Sequence, residues 1–445
     1  MKMSNPPLHF CVLIPPFYSH FHPMMTLAKA FKECGAKVTA ATALSFKKEI
    51  DKKGLLFIEI SINKNANTGT ASKTHQTDEE KQRLIDFFAA TKKGPVETLL
   101  IQGIHRKKDM LANPKELLMR LREIKKEIRP DYWVVDQLSY GATVSLYSLE
   151  ENFITFCPPH PFSLPCEGRT YSVPPRWPSP FKIPEEMKQK LHSFARQVEG
   201  EFTAHFNEFI LANDFHVPII DNAFKLTSGT AVIFNYPDFR DEADLNSTPV
   251  RIFTGSCFEE SALGSPWNDI VKRNFNPKIL VALGTFLNNR RDVLERIILG
   301  IRNSFSNALL VVGAGESTAS LQNLADSQTI IAEFIPQKAL LPFMDMTVIH
   351  GGVGSFTESL YFGKPMIVLP FSSDQFNVAH DVEEFNLGKV LDPNTFQTTD
   401  IGHAVNSLLP ERQNTDAVLW SQKIREKGPI NTVKTLLRSL TSEHC

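Results

Sequence analysis

Short apolar segments alternate with amphipathic segments along most of the chain. The apolar segments are continuous, as expected of parallel strands that helices cover on both faces. The predicted strands are HFCVLI (9–14), AKVTAAT (36–42), DYWVVD (131–136), KILVALG (278–284), NALLVVGAG (307–315), TIIAEF (329–334), MTVIH (346–350) and PMIVLPF (365–371). Apolar residues at helical spacing predict helices at 114–128, 183–212 and 291–303. This alternation indicates an α/β fold with doubly wound sheets.

The first predicted helix follows the first strand closely. Pro23 suits the first helical position, and Gly35 suits the position just past the last turn. A helix over 23–34 leaves His20 in the loop before it. His22, which directly precedes the proline, is then expected to be extended.

The alternation of strands and helices occurs twice along the chain. It stops between residues 251 and 275, where CFEESALGSPWND has the composition of a linker. The sequence therefore predicts two tandem Rossmann-like domains, 1–250 and 276–416.

Two long segments fall between the predicted elements. The polar stretch 63–82 is expected to be a mobile loop. Residues 157–182, CPPHPFSLPCEGRTYSVPPRWPSPFK, hold too many prolines for a helix or a central strand. A long ordered loop of this kind indicates a functional segment.

Length and composition limit the class of protein. The chain has 445 residues, of which 42% are hydrophobic, and a net charge of -1, which gives no electrostatic footprint for nucleic acid. No apolar run approaches the ~18 residues of a membrane-spanning helix. The six cysteines contain no C-x-x-C pair, which favours reduced thiols. We expect a cytoplasmic, monomeric protein without a membrane anchor.

A glycine-rich turn follows the predicted strand MTVIH. In HGGVGSFTES (350–359) three glycines precede a helical pattern. Backbone N–H groups and the helix dipole at such a turn favour a phosphate. Ser355 is the expected N-cap, and His350 adds a donor that is cationic when protonated. For the glycines alone, a plain strand-to-helix turn is the alternative.

A weaker glycine pattern follows ALLVV. Gly313 and Gly315 begin it, but Thr318 stands where a dinucleotide-binding motif has its third glycine. Glu333 lies downstream, where a ribose-binding acid would be expected. A nicotinamide oxidoreductase therefore stays open as an alternative, although a tight turn explains the glycines better.

Residues 333–380 resemble the donor-binding signature of the UDP-dependent glycosyltransferases. P-Q, H-G-G, E, G-x-P, P and D-Q occur there in the family's order, and a weaker resemblance covers most of the chain. The resemblance implies a GT-B fold, in which two Rossmann-like domains face each other across a cleft. It also implies that 1–250 binds the acceptor, 276–416 binds the UDP-sugar, and 417–445 forms a helix that returns to the first domain.

The resemblance assigns the nucleotide contacts residue by residue. Phe334 would stack on uracil, where the family usually has tryptophan. The backbone of Ile335 would meet the uracil edge, and Gln337 and Glu358 would bind the ribose.

The remaining donor contacts follow from the same resemblance. Asp374 and Gln375 match the pair that binds the sugar hydroxyls, and Gln375 favours glucose. No D-x-D cluster is present, so we expect no metal and no cofactor besides the co-substrate. The diphosphate would be held by Thr285, His350, Gly352, Gly354 and Ser355.

The catalytic residues are predicted at the carboxyl ends of two strands, where ligands bind in open α/β sheets. The family's histidine lies three residues before the proline, which is His20 here and not His22. Asp136, at the end of DYWVVD, matches the aspartate that supports it. We expect the first turn of the helix to keep the imidazole of His20 neutral. A metal held by the two histidines lacks a third ligand.

The predicted function is transfer of a hexose, with glucose favoured, from a UDP-sugar to a hydroxyl of a small lipophilic acceptor. Reaction would invert the anomeric centre, with His20 as general base and Asp136 as its partner. Detoxification or secondary metabolism would be a fitting context. A sugar epimerase, a non-catalytic UDP-sugar-binding protein and the oxidoreductase stay as alternatives.

Overall fold

The computed structural model describes residues 6–62, 78–109, 111, 114–166, 168–213, 215–409 and 415–442. Its strands form two wholly parallel sheets, of seven and six strands. The predicted class, α/β with two doubly wound sheets, is therefore confirmed. Within these residues, no helix has the length and apolar content needed to cross a membrane.

The seven-stranded sheet belongs to the first unit. Its spatial order is β3-β2-β1-β4-β5-β6-β7. These strands are β1 His9–Leu13, β2 Lys37–Thr42, β3 Leu56–Glu59, β4 Tyr132–Asp136, β5 Phe153–Cys157, β6 Ala231–Phe234 and β7 Val250–Phe253. The helices of this unit are α1 Tyr18–Glu33, α2 Lys47–Lys52, α3 Asp78–Lys93, α4 Pro95–Asp109, α5 Pro114–Ile128, α6 Tyr140–Ser148 and α7 Glu185–Ala212.

The six-stranded sheet belongs to the second unit. Its spatial order is β10-β9-β8-β11-β12-β13. These strands are β8 Lys278–Ala282, β9 Leu309–Gly313, β10 Thr329–Ala332, β11 Met346–Ile349, β12 Met366–Val368 and β13 Gly388–Val390. The helices from the linker onwards are α8 Trp267–Val271, α9 Gly284–Leu287, α10 Arg291–Ser304, α11 Thr318–Leu321, α12 Gln337–Leu340, α13 Val353–Tyr361, α14 Gln375–Glu384, α15 Thr398–Ser407 and α16 Thr415–Ser442.

Alternate residues of the central strand β1 enter two different cores. Phe10 and Val12 pack with α1 and the end of α16, whereas Cys11 and Leu13 pack with α5 and α6. All four side chains are fully buried. Both faces of the sheet are covered, which explains the continuous apolar strands of the sequence.

The first helix begins earlier than predicted. Helix α1 starts at Tyr18, so His20 lies in its first turn and Pro23 lies inside the helix. The prediction of a start at Pro23 and of an extended His22 was therefore wrong. Proline inside the helix loses the N–H bond to the carbonyl of Ser19 and brings its ring close to that carbonyl, and the buried apolar face of α1 offsets this cost.

The two long connecting segments differ in outcome. Residues 78–82 of the predicted mobile loop belong to α3, so that part of the prediction was wrong, and residues 63–77 lie outside the described part. The proline-rich segment 157–182 begins at the last residue of β5, and its other described residues are irregular apart from one short 3₁₀ turn. Trp177 and Phe181 of this segment pack on Phe376 of α14, in the second unit.

The last helix, α16, connects both units. It kinks at Gly428, whose φ of 53° and ψ of 169° are not helical. Before the kink, Ile424 packs against the second unit; after it, Val433, Leu436 and Leu440 enter the core of the first sheet. The chain end thereby returns to β1 and α1.

Leu436→Ala should lower the free energy of unfolding by about 2–5 kcal/mol, because it opens a cavity in the core beside β1. Urea unfolding followed by circular dichroism measures this change. Leu419→Ala is the matched control on the same helix, since Leu419 is half exposed. Equal effects of the two variants would mean that the end of α16 does not dock on the first unit.

Candidate functional site

Both sheets reverse their strand order beside a central strand. Several of the predicted site residues lie just after the carboxyl ends of the strands at these reversals. In the first sheet β1 lies directly beside β4, with Leu13 paired to Val135. In the second sheet β8 lies beside β11, with Ala282 paired to Ile349. The crevice at the carboxyl ends of such strands is the usual ligand position in open α/β sheets.

His20 and Asp136 meet at the first of these crevices. His20 Nδ1 lies 2.7 Å from Asp136 Oδ2, and Asp136 Oδ1 accepts the N–H of Leu138 at 2.8 Å. The carboxylate is fully buried, whereas the imidazole keeps about a fifth of its surface. Because Nδ1–H donates to the carboxylate, Nε2 is left to accept a proton. The predicted pair is therefore assembled, although its helix begins earlier than expected.

The charge balance around His20 differs from the prediction. Burial lowers the pKa of His20, but the carboxylates of Asp136 and Asp374 raise it by more, so that it lies above its ordinary value. The helix start was expected to favour the neutral ring, but the net shift of the His20 pKa is upward, because the two carboxylates act more strongly than burial. Asp374 belongs to the second unit, so charges from both units act on the pKa of His20.

His22 has a different environment. Its ring stacks on Tyr18, with centroids 5.1 Å apart. Desolvation and the charges of Lys338 and Lys53 lower the pKa of His22 to about 4. In the part of the chain that the structure describes, neither His20 nor His22 belongs to a set of three metal-ligating side chains.

The glycine-rich turn surrounds His350. Burial lowers the pKa of His350 to about 4, against the opposing effect of a hydrogen bond to the Ala282 carbonyl, so the unliganded ring is neutral and not cationic. Its Nδ1 is buried and has no hydrogen-bond partner among the described residues. A Cβ on Gly284 or Gly352 would lie 2.7 or 2.5 Å from this ring. Glycine at both positions is thus required by the imidazole itself.

Helix α13 begins directly after this turn. Its N-cap is Gly352, so Ser355 is the third helical residue and the prediction of Ser355 as N-cap was wrong. The cap has no side chain, and the N–H groups of the first turn remain available to an anion. A Cβ on Gly354 would meet nothing within 4 Å, which leaves open space above the turn.

The predicted nucleotide contacts lie between β10 and α13. Phe334 is 82% exposed, as a stacking platform requires, and Ile335 beside it is buried. Gln337 Nε2 donates to Glu358 Oε2 at 2.8 Å, and Lys338 Nζ lies 4.0 Å from the other oxygen. Burial raises the pKa of Glu358, while Lys338 and Gln337 oppose that shift.

The predicted sugar-binding residues cap α14. Asp374 is its N-cap, and Asp374 Oδ2 accepts the N–H of His160 at 3.0 Å. Gln375 Oε1 accepts the N–H groups of Phe371 and Ser372 at 2.9 and 3.2 Å. The amide nitrogen of Gln375 and the second oxygen of Asp374 are not engaged in these bonds. Burial raises the pKa of Asp374, and the His160 contacts oppose this effect.

Two other predicted features are Thr285 and the Gly313–Gly315 turn. The side chain of Thr285, at the start of α9, lies outside the described part of the structure. The Gly313–Gly315 turn leads into a 3₁₀ turn and then the four-residue helix α11. So short a helix offers little dipole to a dinucleotide, and β9 is not at the point of strand reversal. The tight-turn interpretation therefore fits better.

Sequence reasoning missed two parts of the site. One is the cavity between α4, α7 and the proline-rich segment, of which the sequence indicated only that segment, as a functional loop. The other is His160, inside CPPHP, for which no sequence pattern was available. The cavity is lined by Leu99, Gln102, Gly103, Arg106, Tyr171, Ser172, Val173, Leu191, Phe194, Ala195, Val198 and Ser373.

Comparison with known proteins gives consistent matches. Residues 304–434 match the family described as erythromycin biosynthesis protein CIII-like, C-terminal domain. The NDP-glycosyltransferase YjiC of Bacillus subtilis is 22% identical over 94% of both chains. The uncharacterized UDP-glucosyltransferase YojK of the same organism is 25% identical, over 40% of this chain and 42% of its own length.

Solved structures agree in fold. The glycosyltransferase of kitacinnamycin superposes with a TM-score of 0.67 at 19% identity, covering 98% of this chain and all of that one. CalG4, the calicheamicin glycosyltransferase, gives 0.64 at 15% identity, covering 98% of this chain and 99% of that one. These comparisons confirm the GT-B fold and the resemblance to the UDP-dependent glycosyltransferases.

The pKa of His20 should lie above its ordinary value, and Asp136→Asn should lower it, because the substitution removes the nearer of the two carboxylates that stabilise the imidazolium. Titration of the histidine ring signals by NMR measures both, with His20→Gln for assignment. His22 is the internal control and should titrate near pH 4 in parent and variant. A His20 pKa that ignores the Asp136 substitution would contradict the pairing.

Proposed function

Because the chain is a glycosyltransferase of the GT-B type, we propose that it transfers a hexose, with glucose favoured, from UDP to a hydroxyl of a small lipophilic acceptor. The observation that carries the proposal is the His20–Asp136 hydrogen bond of 2.7 Å at a crevice that the Asp374 charge also reaches. A base with a fixed partner, close to sugar-binding groups, is what such a transfer requires.

The base acts on the acceptor hydroxyl. Nε2 of neutral His20 takes the hydroxyl proton as the acceptor oxygen bonds to the anomeric carbon. The bond from that carbon to the UDP oxygen breaks on the opposite face, so the configuration inverts and UDP leaves with the electron pair. Asp136 keeps Nδ1–H oriented and stabilises the imidazolium that forms. The raised pKa of His20 implies that transfer increases with pH through that pKa.

The nucleotide is assigned to the second unit. Exposed Phe334 offers a face to uracil, and the backbone of Ile335 meets the uracil edge. Glu358, assisted by Gln337, accepts the ribose hydroxyls; a buried carboxylate with a raised pKa is relieved by such donors.

The diphosphate and the sugar lie further along the same edge. N–H groups of the first turn of α13 and Ser355 are assigned to the diphosphate, with Thr285 from α9. His350 donates from Nδ1 only as the imidazolium, so its part in this assignment requires that the diphosphate raise its lowered pKa. Asp374 and Gln375 bind sugar hydroxyls. The helix dipole and these donors offset the negative charge, so that the proposal needs no metal.

The acceptor is assigned to the cavity between α4, α7 and the proline-rich segment. Phe194, Leu191 and Val198 give it an apolar wall, while Arg106 and Gln102 supply polar groups. The charge of Arg106 lowers the pKa of His20, and Ser373, which precedes Asp374, also lines the cavity; both observations support an acceptor site beside the base. An apolar molecule with a hydroxyl group fits this lining.

A screen of small phenols and alcohols with UDP-glucose, read by mass spectrometry, tests the function. The parent protein should form glycosides, and His20→Ala should lower turnover by about 10²–10⁴-fold, because it removes a general base. UDP binding measured by calorimetry should survive this substitution. UDP binding without any glycoside would favour a non-catalytic protein, and a changed sugar without an acceptor would favour an epimerase.

Glu358→Ala should raise the dissociation constant of UDP by about tenfold or more, because two hydrogen bonds to a charged group are lost. Isothermal calorimetry with UDP alone measures this. Glu316→Ala removes an exposed carboxylate of the same unit and should leave the affinity unchanged. Equal UDP affinity in the Glu358 variant would rule out the ribose assignment.

A further inference from the structure

One residue of the first unit contacts helix α14 at two points. The N–H of His160 donates to Asp374 Oδ2 at 3.0 Å, and the ring Nε2 lies 2.9 Å from Asp381 Oδ2. Asp374 and Asp381 are seven residues apart, which is about two turns, so they share one face of α14. A single histidine therefore fixes both the position and the rotation of this helix.

The hydrogen bonds define which ring nitrogen of His160 carries the proton. Phe162 N–H points at His160 Nδ1 from 3.0 Å, and a backbone N–H can only donate. Nδ1 must then accept, and the hydrogen lies on Nε2, where it is donated to Asp381. The side chain of His160 is 1% exposed, so water does not replace these partners.

Asp381 is held by other groups of the first unit as well. Tyr236 donates its hydroxyl to Asp381 Oδ2 at 3.0 Å, and Arg240 Nη2 donates to Oδ1 at 2.5 Å. Burial alone would raise the pKa of Asp381, but His160, His380 and Arg240 bring it well below its ordinary value. The carboxylate is therefore ionised while buried between the two units. It is also part of the group His380, Asp381 and Glu384, but Arg240 forms ion pairs with both acids of that group.

Ser373, the residue before Asp374, is also held by the first unit. Ser373 has a φ of 52°, in the left-handed region, and its N–H donates to Gln102 Oε1 of α4 at 3.1 Å. Non-glycine residues seldom adopt this conformation without a compensating contact. The first unit thus holds the start of α14 at Ser373 and at Asp374.

The geometry points to His160 as a positioning residue for recognition of the donor sugar. It occupies one oxygen of Asp374, so that the other oxygen faces the sugar, and its ring anchors α14 through Asp381. This inference rests on the proposed function, in which Asp374 and Gln375 bind sugar hydroxyls. UDP itself contacts α13 and the segment after β10 in that proposal, and not α14. Loss of the His160 contacts should therefore weaken binding of the sugar and spare the nucleotide.

Three variants test this inference. His160→Leu fills the buried position with an apolar side chain and removes both ring hydrogen bonds. His160→Gln keeps an N–H₂ donor near the position of Nε2 and should restore the contact with Asp381. Arg176→Met removes an exposed ion pair between the same segment and Glu384 of α14, and exposed pairs contribute little.

Calorimetry with UDP-glucose and with UDP separates the outcomes. His160→Leu should raise the dissociation constant of UDP-glucose by about tenfold, as expected for a lost bond to a charged group, and leave that of UDP unchanged. Discrimination between UDP-glucose and UDP-galactose should also fall, and His160→Gln should recover most of both effects. Arg176→Met should match the parent.

Other results would overturn the inference. Equal weakening of UDP and UDP-glucose in His160→Leu would indicate a general structural role. Unchanged binding of both ligands would mean that the ring of His160 does not position α14, and with it Asp374, for the sugar. A parent protein that binds neither ligand would instead remove the proposed function. Thermal unfolding of each variant identifies one that fails to fold. If His160→Leu fails to fold, His160→Gln is compared with Arg176→Met: a folded His160→Gln that binds UDP-glucose much more weakly than Arg176→Met would overturn the inference.

Discussion

The reversal of strand order in each parallel sheet is the constraint on which the site depends. Helices on both faces cover a parallel sheet, so an open crevice forms at the carboxyl edge where neighbouring connections run to opposite sides. Such crevices lie beside β1 and β4 in one sheet and beside β8 and β11 in the other. His20 and Asp136 lie at the first crevice, and His350 and the start of α13 lie at the second. The strand order of the two sheets thus determines where the crevices lie, and the side chains at the strand ends supply the reactive groups.

Four carboxylates at or beside these crevices fall into three groups, which differ in their protein partners. Asp136 is hydrogen-bonded to His20, and Asp381 forms an ion pair with Arg240 and accepts a hydrogen bond from His160. Lys338 Nζ lies 4.0 Å from Glu358, and Asp374 accepts the N–H of His160, but burial raises the pKa of both carboxyl groups. The first two acids are satisfied within the protein. The other two gain most from external hydroxyl donors, which is consistent with their assignment to ribose and sugar.

The sequence was most informative where local pattern alone determines structure. Continuous apolar strands led to the correct fold, and the order of P-Q, H-G-G, E and D-Q around the glycine turn at 350–359 led to the resemblance that the comparisons support. The start of α1 was missed because the propensity of Pro23 is a local signal, whereas the buried face of α1 against β1 is a tertiary one. The upward shift of the His20 pKa was missed for the same reason, since Asp374, one of the carboxylates that cause it, lies 354 positions further along the chain.

His160 could not be found from sequence because its partners come from two units and its role depends on rotation of a helix. Apolar contacts of Phe376 with Trp177 and Phe181 hold α14 against the first unit, but such contacts are non-directional. Small shifts of the helix would change these apolar contacts little but would spoil the hydrogen bonds of Asp374 and Asp381 to His160, which weaken steeply with distance and angle. A buried ion pair adds little net stability compared with apolar packing, because desolvation offsets the attraction. The polar cluster at Asp381 is therefore best explained by the geometry it imposes on α14, and the aromatic contacts by the stability they provide.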